Sequence, residues 1–376
     1  MTESFHLNEV YPLLNFVPKK GDGAYLYTEC GREILDLYGG HAVTSLGYNH
    51  PDLNVAINKQ LKDLIFQSNA VDLPIRELAA KNLITLAPDS LHKVFFVNSG
   101  AEANENALRL ALKITKRKQV VAFEHGFHGR TAAAASVTWN SKKWYGFPHL
   151  PMETIFLPRG DLASLEQINE KVAAVIIEPV QGISGAYPFD KGFLQALEAR
   201  CKAVGAMLIA DEVQCGMGRC GQPYCSSIAN LKPDIITLAK GLGGGIPCGA
   251  VLMSKAIAEE LTPGELGSTF GGGPVACAAI NVVTHFLAQS NFIAHINEVS
   301  NYIKKNCVVG PILKIQGRGL LLGMQTEVKA IHIRDKLLEK NILVGTSSDP
   351  YILRLLPPLV IEAKHIDHLI EALKGI

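Results

Sequence analysis

Asp211 and Lys240 are the residues whose type and setting most directly permit chemistry. Each closes an apolar run: Met207–Ala210 leads into Asp211, and Ile235–Ala239 leads into Lys240. An amine held against apolar surroundings has a lowered pKa. It suits either a Schiff base with a carbonyl or contact with a phosphate. A carboxylate nearby suits a protonated pyridine nitrogen, the partner that a pyridoxal phosphate electron sink requires. The plain alternative is a structural ion pair at a sheet edge.

Other residues add chemistry of their own. Asn98-Ser99-Gly100-Ala101 joins a strand pattern to a helix pattern. Free N–H groups and the helix dipole make such a turn a phosphate site, and simple N-capping is the alternative. Arg130 follows Phe127-His128-Gly129, and Arg354 lies in LRLLPPL. Arginine forks bind carboxylates bidentately. Phe127 suits stacking on a flat ring, or ordinary core packing. His128 and His41 read first as structural histidines. Gly241 to Gly245 lacks the G-x-G-x-x-G spacing and runs into Ile246-Pro247, which argues against a dinucleotide-dependent dehydrogenase. Cys215, Cys220 and Cys225 recur without paired CxxC knuckles, so no metal site is expected.

These groups need a scaffold. Val94–Val97, Val120–Phe123, Ala173–Ile177, Met207–Ala210, Ile235–Ala239 and Gly249–Met253 read as strands. Runs such as VAAVIIE and AMLIADE show no polar alternation, the pattern of strands covered on both faces. The expectation is an α/β fold with a mainly parallel sheet. Its site lies at the carboxyl ends of the strands, where Ser99, Glu178, Asp211 and Lys240 fall. Helices are expected from Ser99 to about Thr115, with S-x-x-E capping spacing to Glu102, and from Gly192 to Val204. Residues 1–45 read as an arm and hairpin belonging with a smaller α+β domain, 286–376. Residues 46–285 form the large domain.

The chain has 376 residues, 36 Lys+Arg against 35 Asp+Glu, and only 19% charged residues. The balance gives no electrostatic case for nucleic acid or an anionic membrane. A charge content this low points to an oversized interior or to surface hidden against a second subunit. No apolar run is long enough for a membrane helix, and the N-terminus lacks a secretory pattern, so a cytoplasmic enzyme with reduced thiols is expected.

Taken together and in order, LDLYGGHAVTSLGYNHP, FFVNSGAEANENALRLA, AFEHGFHGRT, AAVIIEPVQGISG, LIADEVQCGMGR, PDIITLAKGLGGGIPCGAV, GSTFGGGPVACAA, IQGRGLLLGM and LRLLPPL resemble the class III aminotransferases. The resemblance implies the fold type I architecture, pyridoxal 5′-phosphate as cofactor, and a homodimer. It implies that Lys240 binds the cofactor covalently and later moves the proton. Asp211 would pair with the pyridine nitrogen and Gln214 would bond the ring's 3′ oxygen. Val213 and Phe127 would flank the ring. Gly100 and Ala101 would offer N–H groups to the phosphate, and Thr269 would reach the phosphate in the neighbouring subunit. Arg130 would bind the carboxylate of an acylornithine, or the distal carboxylate of 2-oxoglutarate. Arg354 would bind the α-carboxylate of glutamate or 2-oxoglutarate, with Glu178 masking it while the side-chain amine reacts. Gly273 stands where the family usually has Asn, which predicts a looser turn there. The segment 139–156 also departs from the family's wording.

The implied reaction transfers the δ-amino group of N2-acetylornithine to 2-oxoglutarate, giving N-acetylglutamate 5-semialdehyde and glutamate. The alternatives are N-succinylornithine, free ornithine or 4-aminobutyrate as donor. A regulatory protein that binds cofactor without catalysis is a distant one.

Overall fold

The computed structural model describes residues 6–8 and 10–376. Residues 1–5 and 9, within the expected N-terminal arm, lie outside the described residues. The apolar runs assemble into a seven-stranded sheet. Its order is Lys93–Val97, Gly249–Met253, Ile235–Leu238, Met207–Asp211, Val172–Ile177, Gln119–Phe123 and Glu153–Leu157. Every residue of Val172–Ile177, Ile235–Leu238 and Gly249–Met253 is buried, so both faces are covered, as the lack of alternation requires.

Six strands run parallel to one another, and Gly249–Met253 runs antiparallel to both neighbours. Only residues 239–248 separate it from Ile235–Leu238. That link is shorter than the dozen or more residues a parallel crossover needs. The edge strand Glu153–Leu157 falls in the segment that sequence reading left unassigned. Its outer edge is unpaired and its residues are mostly half-exposed, so it carries no long apolar run to reveal it.

The helix Gly100–Thr115 packs on the sheet through Ala103, Ala107, Leu108 and Ala111. Its cap is a variant of the expected box. Ser99 Oγ accepts from the Glu102 N–H, but the Glu102 carboxylate accepts from the N–H of Asn98, one residue before the cap.

A second sheet of four antiparallel strands has the order Ile312–Arg318, Leu321–Thr326, Ile352–Leu355 and Gly345–Thr346. The N-terminal hairpin, Tyr25–Thr28 against Glu33–Asp36, continues in parallel pairing onto Ile342–Leu343. Leu35 and Leu37 share one buried cluster with Ile303, Leu322, Leu353 and Leu369. The start of the chain thus packs on its end. Among the described residues no helix is long and apolar enough to cross a membrane.

Candidate active site

The carboxyl ends of the strands meet at two adjoining cavities. The inner one, about 480 Å³, is lined by Gly100, Ala101, Asn104, Phe127, His128, Arg130, Glu178, Asp211, Val213, Gln214 and Lys240. The outer one, about 800 Å³, is lined by His41, His125, Trp139, Lys143, Trp144 and Ser348 among others. Phe127, Arg130, Gln214 and Lys240 belong to both. Of the residues expected at the site, Arg354 is buried behind Gln214, and Thr269 lines neither cavity. Thr269 is exposed on the turn before the helix Pro274–Leu287.

Asp211 is held from three sides. Its Oδ2 lies 2.7 Å from His128 Nδ1 and accepts from Asn104 Nδ2, also at 2.7 Å. Its Oδ1 accepts from the Val213 N–H at 3.0 Å. Asn104 Oδ1 in turn accepts from the Thr237 hydroxyl at 2.6 Å. All four side chains are buried, where an unpaired polar group would be costly. Sequence reading missed Asn104 and Thr237 and undervalued His128. The available signal was a polar residue on an apolar stripe: Asn104 shares a helix face with Gly100 and Leu108.

The ion pair considered between Asp211 and Lys240 is not formed; His128 and Asn104 take its place. Lys240 follows its strand with φ of +47° and faces both cavities. Burial pushes its amine below the ordinary lysine range, partly opposed by Asp211 and Glu178.

The expected Glu178–Arg354 pair is likewise absent. Glu178 instead accepts from the N–H groups of Phe127 at 2.9 Å and Gly182 at 3.2 Å. Burial, with Asp211 nearby, pushes its carboxyl up to about 7. A carboxyl kept partly neutral has little to offer a cation, which is the physical reason the pair does not form. Arg354 is held by neutral oxygens: the Tyr38 hydroxyl, Gln214 Oε1 and the carbonyls of Thr346 and Gly182.

Arg130 stands over Trp144 at 4.9 Å and over Phe127 at 5.9 Å. The unassigned segment therefore supplies a cavity wall, from Trp139 and Asn140 to Lys143 and Trp144. The turn at Gly273 is not loose. Gly273 has φ of −58°, open to any residue, and Asn69 Nδ2 donates to the carbonyls of Ser268 and Gly271 while Arg76 Nε donates to that of Gly272. Cys215, Cys220 and Cys225 are buried free thiols. No cluster of three metal-ligating side chains occurs among the described residues.

The description "Aminotransferase class-III" fits residues 7–376 of the chain. The chain is a class III aminotransferase. It is 40% identical to an acetylornithine aminotransferase of Aquifex aeolicus over 363 residues, 95% of this chain and 96% of that one. Among solved structures, an N-acetylornithine aminotransferase from Stenotrophomonas maltophilia is 30% identical, with a TM-score of 0.83, covering 97% of this chain and 96% of that one. The ornithine aminotransferase of Toxoplasma gondii, described with pyridoxal phosphate at its active site, is 26% identical with a TM-score of 0.91, covering 99% of this chain and 92% of that one.

Class III aminotransferases depend on pyridoxal 5′-phosphate. The inner cavity of this one fits that group. A Cβ on Gly100 would meet Val213 Cγ1 at 2.6 Å, so the cradle beside the first helical N–H groups exists only because residue 100 has no side chain. Those N–H groups, at a helix start, are unpaired by geometry and suit a phosphate. An anchored carboxylate and an amine of lowered pKa line the same space.

Proposed function

We propose that this class III aminotransferase moves the δ-amino group of N2-acetylornithine to 2-oxoglutarate, yielding N-acetylglutamate 5-semialdehyde and glutamate. The observation that carries the choice of donor is the outer cavity's charge. Its lining holds Arg130, Lys143, His41 and His125, and among the described residues no Asp or Glu. A free α-ammonium would meet no counter-charge there. An acyl group removes that charge and leaves the carboxylate for Arg130. The names printed for the relatives agree with this reading. Lys143, a second cation on the same wall, keeps an N-succinyl donor as the second reading.

Bound pyridoxal phosphate supplies the electron sink for breaking the C–H bond beside the amine. This chain's residues supply the rest. Gly100 and Ala101 are placed for the phosphate, Val213 and Phe127 for the ring faces, and Asp211 for the ring nitrogen, steadied by His128 and Asn104. Gln214 is within reach of both the ring pocket and Arg354. Lys240 is placed to hold the cofactor and, as an amine of lowered pKa, to carry the proton between substrate carbon and cofactor. Arg354 is placed for the α-carboxylate of glutamate or 2-oxoglutarate.

We further infer a homodimer in which Thr269 serves the partner's phosphate. The large exposed side chains Phe66 and Phe270, in ring contact at 5.4 Å, lie with Leu64, Ile65 and Val71 in a part of the surface that a monomer would leave wet. Residues 1–45 and 286–376 make one unit on this reading and 46–285 the other, which the shared buried cluster of Leu35, Leu37 and Leu353 supports. A cytoplasmic setting goes with eight unpaired thiols.

The test is kcat/KM for N2-acetylornithine, N2-succinylornithine and ornithine with the purified enzyme. The acetyl donor is expected to exceed ornithine by ~100-fold, the scale of an uncompensated charge in a desolvated site. Preference for free ornithine over both acyl donors would overturn the assignment. Preference for the succinyl donor would select the second reading.

A further inference from the structure

We propose that Tyr38, its hydroxyl anchored on His41, is the positioning residue for Arg354. It sets the guanidinium for an α-carboxylate and occupies it until one arrives. The inference rests on the assignment of Arg354 to that carboxylate.

Arg354 Nη2 donates to the Tyr38 hydroxyl at 2.7 Å, the shortest contact the guanidinium makes. Nε donates to Thr346 O at 2.8 Å, and Nη1 has longer contacts to Gln214 Oε1 at 3.3 Å and Gly182 O at 3.4 Å. Every one of these acceptors is neutral. An incoming carboxylate would therefore displace neutral oxygens and would not have to break a buried ion pair. The gain on exchange is large, because a charge-assisted bidentate contact replaces neutral ones.

The hydroxyl has a fixed sense. Arginine can only donate, so Tyr38 accepts from it and donates its own proton to His41 Nδ1 at 2.8 Å. That leaves the neutral His41 with its proton on Nε2. Burial, with Arg354 and Lys240 nearby, lowers the pKa of His41 and favours that neutral form.

Three features of the fold build this contact. First, a Cβ on Gly345 would fall 1.9 Å from the Tyr38 ring, so the ring occupies a notch that any other residue would close. Second, the buried Asp36 carboxylate accepts from the N–H groups of Tyr38 at 2.7 Å and Gly39 at 2.9 Å, and from the Tyr48 hydroxyl at 2.6 Å. Third, Gly39, Gly40, His41 and Ala42 all take positive φ, +55°, +56°, +67° and +69°. Two of these are not glycine, and a side chain in that region is strained. The left-handed turn brings the His41 ring back onto Tyr38, with centroids 4.8 Å apart.

The test compares wild-type holoenzyme with Tyr38→Phe and Arg354→Lys. Phenylalanine keeps the ring in its notch and removes only the hydroxyl. The readouts are KM for 2-oxoglutarate, KM for N2-acetylornithine, and binding of glutarate, an unreactive dicarboxylate, by calorimetry. Tyr38→Phe is expected to weaken glutarate binding and raise KM for 2-oxoglutarate ~tenfold, and to do so several-fold more than it raises KM for the amine donor. Arg354→Lys is expected to act in the same direction and more strongly. Equal changes in both KM values, or unaltered glutarate binding in Tyr38→Phe while Arg354→Lys weakens it, would refute the role of Tyr38 alone. Unaltered glutarate binding in Arg354→Lys would refute the assignment of Arg354 and the inference built on it.

Discussion

Two buried glutamates sit next to the reacting centre, and their environments make a pH statement possible. Glu178 and Glu212 are both pushed up to about 7, burial being the main cause in each. Glu212 braces a loop, because its carboxylate accepts from the N–H groups of Cys225 and Ser226. A carboxyl whose pKa is higher folded than unfolded binds its proton more tightly in the native state. Its contribution to stability is fully present below the unfolded value and is lost as pH rises through the folded one. The thermal midpoint of the wild type should therefore fall, relative to Glu178→Gln, as pH rises from ~4.5 to ~7. Melting curves across that range measure it, and a constant difference between the two proteins would show that Glu178 titrates normally.

At the scale of elements, the helix Gly100–Thr115 serves two ends. Its apolar face packs on the sheet, and its start is placed for the phosphate. Asn104 ties the two together, because its amide reaches Asp211 Oδ2 and the carbonyl of His128. Asn104→Ala leaves Asp211, the Thr237 hydroxyl and that carbonyl each short of a buried partner. The thermal midpoint should drop by ~4 °C or more, since each orphaned buried group costs about 1–3 kcal/mol. A change below one degree in calorimetry would mean the network contributes little. The strand Gly249–Met253 makes a related point. Its direction is set by a connection too short for a crossover, and nothing in its own apolar composition distinguishes parallel from antiparallel.

At the scale of the whole molecule, the low charge content finds an explanation in the exposed apolar surface around Phe66 and Phe270. Replacing Phe270 by Glu places a charge beside Thr269 in the proposed interface. Sedimentation is expected to show a shift from dimer to monomer, with activity falling in parallel. Wild-type dimers that persist in Phe270→Glu would move the interface elsewhere. The cavities tell a similar story about charge. A near-neutral chain gathers Arg130, Lys143, Arg354 and Lys240 around one pocket region, so carboxylate substrates meet placed cations and not a basic surface.

The amino-acid sequence by itself determined the element types, the doubly covered sheet and the line-up of chemistry at the strand ends. Those depend on local apolar runs, on caps, and on residues that close strands, such as Asp211 and Lys240. Family resemblance then attached cofactor and substrate roles to numbered positions. Tertiary structure decided which partner each charged group takes. Asp211 could have met Lys240 but is held by His128 and Asn104, residues 83 and 107 positions away. Arg354 could have met Glu178 but rests on Tyr38, 316 positions away, in a notch made by Gly345. The reason is physical. Local pattern reports what a segment buries, whereas a buried ionisable group settles on whatever distant donors the packed fold brings within 3 Å and on how far burial has already neutralised its rivals.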